Sequence, residues 1–272
     1  MGLGIAQVCA LHGYPTLLVD VNPAQLSKAL NTIHKQLENL VAKGKMSSVQ
    51  REDAMNRLSS STELISTKAD LIIEAIVERL DVKQELFRTL EQVNSGECIL
   101  ASNTSSLSIG SIASILDHPN RFLGIHFFNP ADRMKLVELI SGPATQPACI
   151  AAASVFLHSL EKTVVEAKDS PGFIVNRVAR PYYLEALRLV EENSADMTTV
   201  DNLMQGSGFR MGPFALMDLI GLDTNLAVTR SVYEGFGRHQ RFLPSAIQQG
   251  LVEQGKTGRK AGAGFYDYSD KA

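Results

Sequence analysis

The residues best suited to chemistry lie between Arg121 and Ile140, in RFLGIHFFNPADRMKLVELI. His126 falls near the end of one apolar run, Phe122 to Phe128, and Glu138 in the middle of a second, Leu136 to Ile140. Short apolar runs of this kind, joined by a polar turn, read as strands. If the two strands are neighbours, imidazole and carboxylate meet in apolar surroundings. A carboxylate on one ring nitrogen fixes the tautomer and leaves the other to take a proton, which is general-base chemistry. Taken alone, the pair better describes a core histidine whose N–H is satisfied by a buried acid. The rest of the chain has to decide.

Two further groups of polar residues sit where strands end. Cys98 to Ser102 reads as a strand running straight into Asn103-Thr104-Ser105-Ser106. Polar residues at the end of a parallel strand lie at the edge where open α/β sheets bind ligands. They could also serve as the N-cap of the next helix. Ser108 can supply that cap, which leaves Asn103 and Ser105 for another task. Near the start, Pro15 to Asp20 reads as a buried strand ending on an acid, preceded by a helix that stops at Gly13. A glycine-rich helix start followed by a strand ending in Asp is the second half of a dinucleotide-binding βαβ unit. Gly2 stands where the third glycine of G-x-G-x-x-G belongs. Asp20 is placed to bond the adenosine ribose and to repel a 2′-phosphate, which favours NAD over NADP. A complete unit also requires a leading strand and two earlier glycines, so the reading frame is expected to extend upstream by about 10–20 residues.

The elements that must position these groups alternate between strand and helix. A long helix from Asn22-Pro23 to about Lys45 carries Lys28, Lys35, Lys43 and Lys45, whose usual role is a solvated face. Ser48 to Leu58 reads as a helix, with a polar run, Ser59 to Thr62, behind it. Ala69 to Val77 reads as a buried parallel strand, Asp81 to Leu90 as a helix and Thr163 to Ala167 as a last strand. Composition then shifts at Asp169-Ser170-Pro171-Gly172, which places a domain boundary there: residues 1–168 form an α/β, Rossmann-type, mostly parallel sheet domain, and 169–272 an all-α domain. Phe173 to Glu192, with Asn176 in its first turns, Thr198 to Gly206, Gly212 to Val228 and roughly Ser245 to Gln254 read as helices. A basic, glycine-rich tail, Gly255 to Tyr268, follows as a loop capping them.

Hydrophobic residues make up 44% of the 272 and charged residues 20%, as in ordinary globular proteins. A net charge of −3 gives no electrostatic footprint for nucleic acid. No apolar run approaches transmembrane length, so no membrane partner is expected. Cys9, Cys98 and Cys149 are odd in number, far apart and without metal spacing, which points to a reducing cytoplasm and no metal centre.

Ordered motifs along nearly the whole chain resemble the L-3-hydroxyacyl-CoA dehydrogenase family, in its 3-hydroxybutyryl-CoA dehydrogenase-like branch. They are MGxGIAQ at the start, IIEAIVERLDVKQELF at 72–87, ASNTSSL at 101–107, GIHFFNP at 124–130, KLVELI at 135–140, DSPGFIVNR at 169–177, MGPFALMDLIGLD at 211–223 and KAGAGFYDY at 260–268. The resemblance implies NAD as cofactor and an acyl-CoA as substrate, with a homodimer formed through the helical domain. It implies His126 as proton acceptor, Glu138 as its orienting partner, Ser105 on the 3-hydroxyl and Asn176 helping to hold substrate and His126. It matches Asp20 to the ribose acid and Glu78, Lys83, Ser105, Asn129 and Lys260 to further residues lining the NAD site. Lys43 matches a basic contact to the coenzyme A nucleotide. The expected reaction removes a proton from a secondary alcohol and a hydride from the same carbon, a step of fatty-acid β-oxidation, in a cleft between the domains. A non-catalytic structural or ligand-binding relative of the same fold is the alternative. A dehydrogenase of free β-hydroxyacids is a third, but the lysine base such enzymes use has no match here.

Overall fold

The computed structural model describes residues 1–269, Ser66 by its backbone only. Its internal contacts divide the chain into two units, Met1–Asp169 and the remainder from Ser170 onward.

Unit 1 alternates strands and helices: α1 (Gly2–Leu11), β1 (Thr16–Val19), α2 (Pro23–Ala42), α3 (Ser48–Asn56), β2 (Leu58–Ser61), β3 (Leu71–Glu74), α4 (Leu80–Val93), β4 (Ile99–Ser102), α5 (Ile109–Ala113), β5 (Phe122–Phe127), β6 (Leu136–Ser141), α6 (Pro147–Ser159) and β7 (Thr163–Lys168). The strands form two sheets, β1-β2 and β3-β4-β5-β6-β7. Every pairing is parallel except β5 with β6, which are antiparallel. This is the expected Rossmann-type arrangement. Helix α1 sends Ile5, Val8 and Cys9 into the core that Leu123, Ile125, Val137 and Leu139 build from β5 and β6. Ile73 and Ala75, in and after β3, pack against the same cluster.

Three local expectations change. The polar run Ser59 to Thr62 is largely strand, because the backbone of Leu58–Ser61 pairs in register with Thr16–Val19. Its serines suit a strand that is only partly buried. The aliphatics of β1 and β3, both expected to be buried, are half-buried or, at Leu17, exposed, and only Glu74 is fully enclosed. Among the described residues β3 pairs on one side only, with β4, and an unpaired edge leaves its neighbours without cover. Helix α6 was not anticipated; Pro147 at its first turn supplies the start, since a missing N–H costs nothing there.

Unit 2 is helical: α7 (Val175–Glu191), α8 (Met197–Gly206), α9 (Pro213–Ile220), α10 (Leu222–Gly235) and α11 (Ala246–Glu253). The single helix expected over Gly212 to Val228 is two, broken at Gly221, whose φ of 105° no L-residue adopts without strain. Tyr183, Leu187, Phe214, Met217, Leu222 and Val232 form the centre of its core. Two buried carboxylates tie it together. Asp201 accepts N–H bonds from Phe214 and Ala215 at the start of α9 and the hydroxyl of Tyr266. Asp218 accepts the N–H groups of Phe265 and Tyr266 and the hydroxyl of Tyr268. The tail is thus bonded into unit 2.

Candidate active site

His126 and Glu138 stand directly opposite each other in the antiparallel register of β5 and β6, so both side chains leave the same face. His126 Nδ1 lies 2.7 Å from Glu138 Oε2. Glu138 is 0% exposed and His126 6%, so the pair is enclosed. The ring of Phe128 covers the imidazole at 4.5 Å between centroids. All six residues of β5 are buried. At Gly124 a Cβ would stand 2.7 Å from Ile109 Cδ1. Glycine there lets α5 lie close on the strand that carries the histidine.

The segment 103–108, which leads into α5, is stitched to the strand ends beside it. Asn103 N–H donates to Glu74 O, and Asn103 Oδ1 accepts from Phe127 N–H at 2.8 Å, one residue after His126. Asn103 Oδ1 is therefore bonded to the backbone of the strand that carries His126. Glu78 gathers the next three residues: its Oε1 accepts from Thr104 Oγ1, from Ser105 N–H at 3.0 Å and from Ser106 N–H at 3.2 Å, and Ser105 Oγ lies 3.4 Å away. Burial pushes the Glu78 carboxyl up, but the Thr104 bond, the Lys83 charge and the Ser105 N–H outweigh it and hold it below the ordinary carboxylate value. At the far end Ser108 caps α5, as expected, and Asp169 adds to the cap by accepting from Ser108 Oγ, Ile109 N–H and Gly110 N–H.

Lys83 lies on α4 and is 1% exposed. Its Nζ donates to Glu74 Oε1 at 2.6 Å and lies 3.2 Å from Glu78 Oε2. Glu74 also accepts from Ser102 Oγ and from Ile76 N–H. Lys83 is thus spent between two carboxylates and acts on the segment 103–106 through Glu78. On the other side of His126, the exposed Asn129 precedes a cis peptide to Pro130. The turn that follows is held by Lys162, whose Nζ donates to Ala131 O at 2.7 Å and Met134 O at 3.0 Å.

Asp20 is exposed at the tip of β1, with Oδ1 accepting from Asn22 N–H. Helix α1 starts without a side-chain cap, and a Cβ on Gly2 would lie 3.9 Å from that of Ala75 beyond β3. An exposed acid at the tip of a strand that follows a glycine-rich helix start fits the ribose of a dinucleotide.

Both parts of the chain match models of one family. Residues 1–170 match the 3-hydroxyacyl-CoA dehydrogenase NAD binding domain, and residues 172–268 its C-terminal domain. This chain belongs to the 3-hydroxyacyl-CoA dehydrogenase family. It is 46% identical to the 3-hydroxyadipyl-CoA dehydrogenase of Escherichia coli over 98% of its own length, and spans 57% of that relative. It is 40% identical to the probable 3-hydroxybutyryl-CoA dehydrogenase of Bacillus subtilis, covering 100% of this chain and 95% of the relative. The crystal structure of (S)-3-hydroxybutyryl-CoA dehydrogenase from Ralstonia eutropha superposes with a TM-score of 0.95 at 37% identity, covering 98% of this chain and 95% of that one.

The remaining residues matched by the resemblance lie on other elements. Lys43 is the exposed residue closing α2. Asn176 is the second residue of α7, half-buried, and Lys260 is exposed in the single turn Arg259–Ala261 that the Asp218-bound tail presents. Three groups around the site went unread in the sequence: Glu74, Asp169 as a cap, and Lys162. Burial pushes the thiols of Cys9 and Cys98 up, to about 12 and about 11, so neither is a thiolate nucleophile at neutral pH. Among the described residues no group of three or more His, Cys, Asp or Glu is placed to hold a metal ion, and no helix is long and apolar enough to cross a membrane.

Proposed function

We propose that this chain oxidises L-3-hydroxyacyl-CoA to 3-oxoacyl-CoA with NAD and catalyses the reverse reduction, with His126 as general base. The observation that carries the assignment of the base is the 2.7 Å contact of His126 Nδ1 with the fully buried Glu138. In this reading Nε2 takes the hydroxyl proton, and the carboxylate on Nδ1 stabilises the imidazolium that forms. When bound, NAD supplies the hydride acceptor. A positioned base accounts for roughly a hundred- to ten-thousand-fold of rate, or about 3–5 kcal/mol. Ser105, fixed through Glu78, donates to the 3-hydroxyl oxygen, and Asn176 of the helical unit holds the substrate. Gly2, Asp20, Glu78, Asn129 and Lys260 make the cofactor site, with Lys83 supporting it through Glu78. Lys43 meets the coenzyme A nucleotide.

The protein works in the cytoplasm as a homodimer joined through unit 2. That unit leaves Val178, Leu203 and Phe209 exposed by 70%, 67% and 51%, large apolar groups of the kind an interface covers. The names of its relatives differ in the acyl group, short in one and carrying a second carboxylate in another. Absorbance at 340 nm with acetoacetyl-CoA and NADH tests the activity. Turnover dependent on both supports it. Binding of either without turnover would favour a non-catalytic relative.

A further inference from the structure

Burial along β3 runs against polarity. Leu71, Ile72 and Ile73 are only half-buried, while the side chain of Glu74, the charged residue of the strand, has no exposed surface. A carboxylate is normally the last group of a strand to be enclosed. Replacing a buried ion pair by apolar residues of similar volume is often neutral or stabilising. Packing alone therefore does not account for an acid at this position. Its bonds do.

Glu74 Oε1 accepts from Lys83 Nζ and from Ile76 N–H, both at 2.6 Å, and its Oε2 accepts from Ser102 Oγ at 2.6 Å. Lys83 Nζ is farther, 3.2 Å, from Glu78 Oε2. One buried ammonium thus stands between two carboxylates, closer to Glu74. Glu78 is gripped from both ends. Its Oε2 lies on Lys83, and its Oε1 accepts from Thr104 Oγ1 at 2.5 Å, Ser105 N–H at 3.0 Å and Ser106 N–H at 3.2 Å. The charge of Glu74 fixes the ammonium, and the ammonium aims the carboxylate that gathers the segment 104–106. A neutral group in place of Glu74 would leave Lys83 to close on Glu78 alone. Charge-assisted bonds are roughly twice as strong as neutral ones, so the ammonium would draw that carboxylate away from its hydroxyl and N–H donors.

We propose that Glu74 is a positioning residue of the dehydrogenase, setting through Lys83 and Glu78 the place where Ser105 meets the 3-hydroxyl oxygen. This rests on the dehydrogenase reading and on Ser105 as the donor to that oxygen. Every residue of the relay, from Glu74 to Ser105, lies in unit 1. A group displaced by about 1 Å from its productive place costs about 100-fold in rate.

The test is charge removal, read by acetoacetyl-CoA reduction with NADH at 340 nm on folded preparations. Glu74→Gln keeps the size of the side chain, an acceptor for Ile76 N–H and a partner for Ser102. Its kcat should fall by at least about tenfold while KM for acetoacetyl-CoA stays within about threefold, the pattern of an interaction made in the transition state. In a Glu78→Gln background the same change should cost less than about a further twofold, because its effect passes through Glu78. Glu74→Gln with Lys83→Met leaves neither charge of the pair, so it should fold even if the single variant does not, and kcat should again fall by at least about tenfold. In the wild type, amide exchange at Ser105 and Ser106 should be slowed by at least about tenfold, as N–H groups held by a carboxylate require. Wild-type turnover in either Glu74 variant, an equal loss with and without Glu78, or unprotected Ser105 and Ser106 amides in the wild type overturns the relay and leaves the dehydrogenase reading standing. A wild type that binds NADH and acetoacetyl-CoA without turnover overturns that reading, and the relay with it.

Discussion

Glu138→Gln isolates the role of charge in the His126 pair, because glutamine keeps the shape of a side chain that has no exposed surface. In the native protein the imidazolium formed during oxidation meets a carboxylate at 2.7 Å, with both groups enclosed. A hydrogen bond to a charged partner is worth about 1.5–3 kcal/mol against about 0.5–1.5 for a neutral one. Exchanging one for the other therefore withdraws about 1–2 kcal/mol from the transition state. Breaking a buried ion pair costs about 3–5 kcal/mol, since the surviving charge stays uncompensated. His126 keeps 6% exposure, which brings the expected loss to about 2–4 kcal/mol. That is about a 30- to 900-fold fall in kcat. The assay is steady-state oxidation of 3-hydroxybutyryl-CoA at 340 nm, with NADH affinity by fluorescence titration and melting temperature as the control for folding. Loss of kcat with NADH affinity unchanged is the expected pattern. A folded Glu138→Gln within about threefold of wild type would show that the imidazolium needs no buried counter-charge, and the reasoning would fail.

Asp20 is exposed at the strand tip, so NADH should be preferred to NADPH by at least about tenfold, and Asp20→Ala should narrow the gap; equal efficiency with both in the wild type would place Asp20 away from the ribose. Lys162→Met strands the buried carbonyl of Ala131, at about 1–3 kcal/mol, while water can reach that of the exposed Met134, so the melting temperature should fall by a few degrees and the KM for NADH should rise as the turn at Asn129 loosens. A variant with both unchanged would show that the turn holds its shape by other means. The Glu78 carboxyl is held below its ordinary value of 4.5, so its stabilising contribution is complete above about pH 4.5 and is lost as pH falls through the lowered value. Urea melts should show wild type losing stability more steeply below pH 4.5 than Glu78→Gln, and parallel curves would contradict the sign.

The histidine–glutamate pair was legible because both strands announce themselves as short apolar runs, and antiparallel neighbours bring opposite residues to one face. The ends of the Rossmann-type strands were legible for the same reason. What surrounds the pair was not. Leu58–Ser61 is a strand only because β1 offers it a partner, and its three serines carry no apolar signal. Lys83 looks like any lysine on an amphipathic helix, and only the fold brings Glu74 and Glu78 to it. Gly221 sits inside an apolar stretch that reads as one helix, and its positive φ is visible only in three dimensions. Asn103 Oδ1 serves the backbone of Phe127, a long-range contact that no local pattern encodes.

The account turns on His126 as the base, and the most direct measurement pairs turnover with cofactor binding in His126→Gln. Acetoacetyl-CoA reduction at 340 nm and NADH fluorescence titration are run on the same folded preparation beside wild type. A positioned base contributes roughly a hundred- to ten-thousand-fold, so turnover should fall by at least about 100-fold while NADH affinity stays within about twofold. Near-wild-type turnover in the glutamine variant would contradict the mechanism outright.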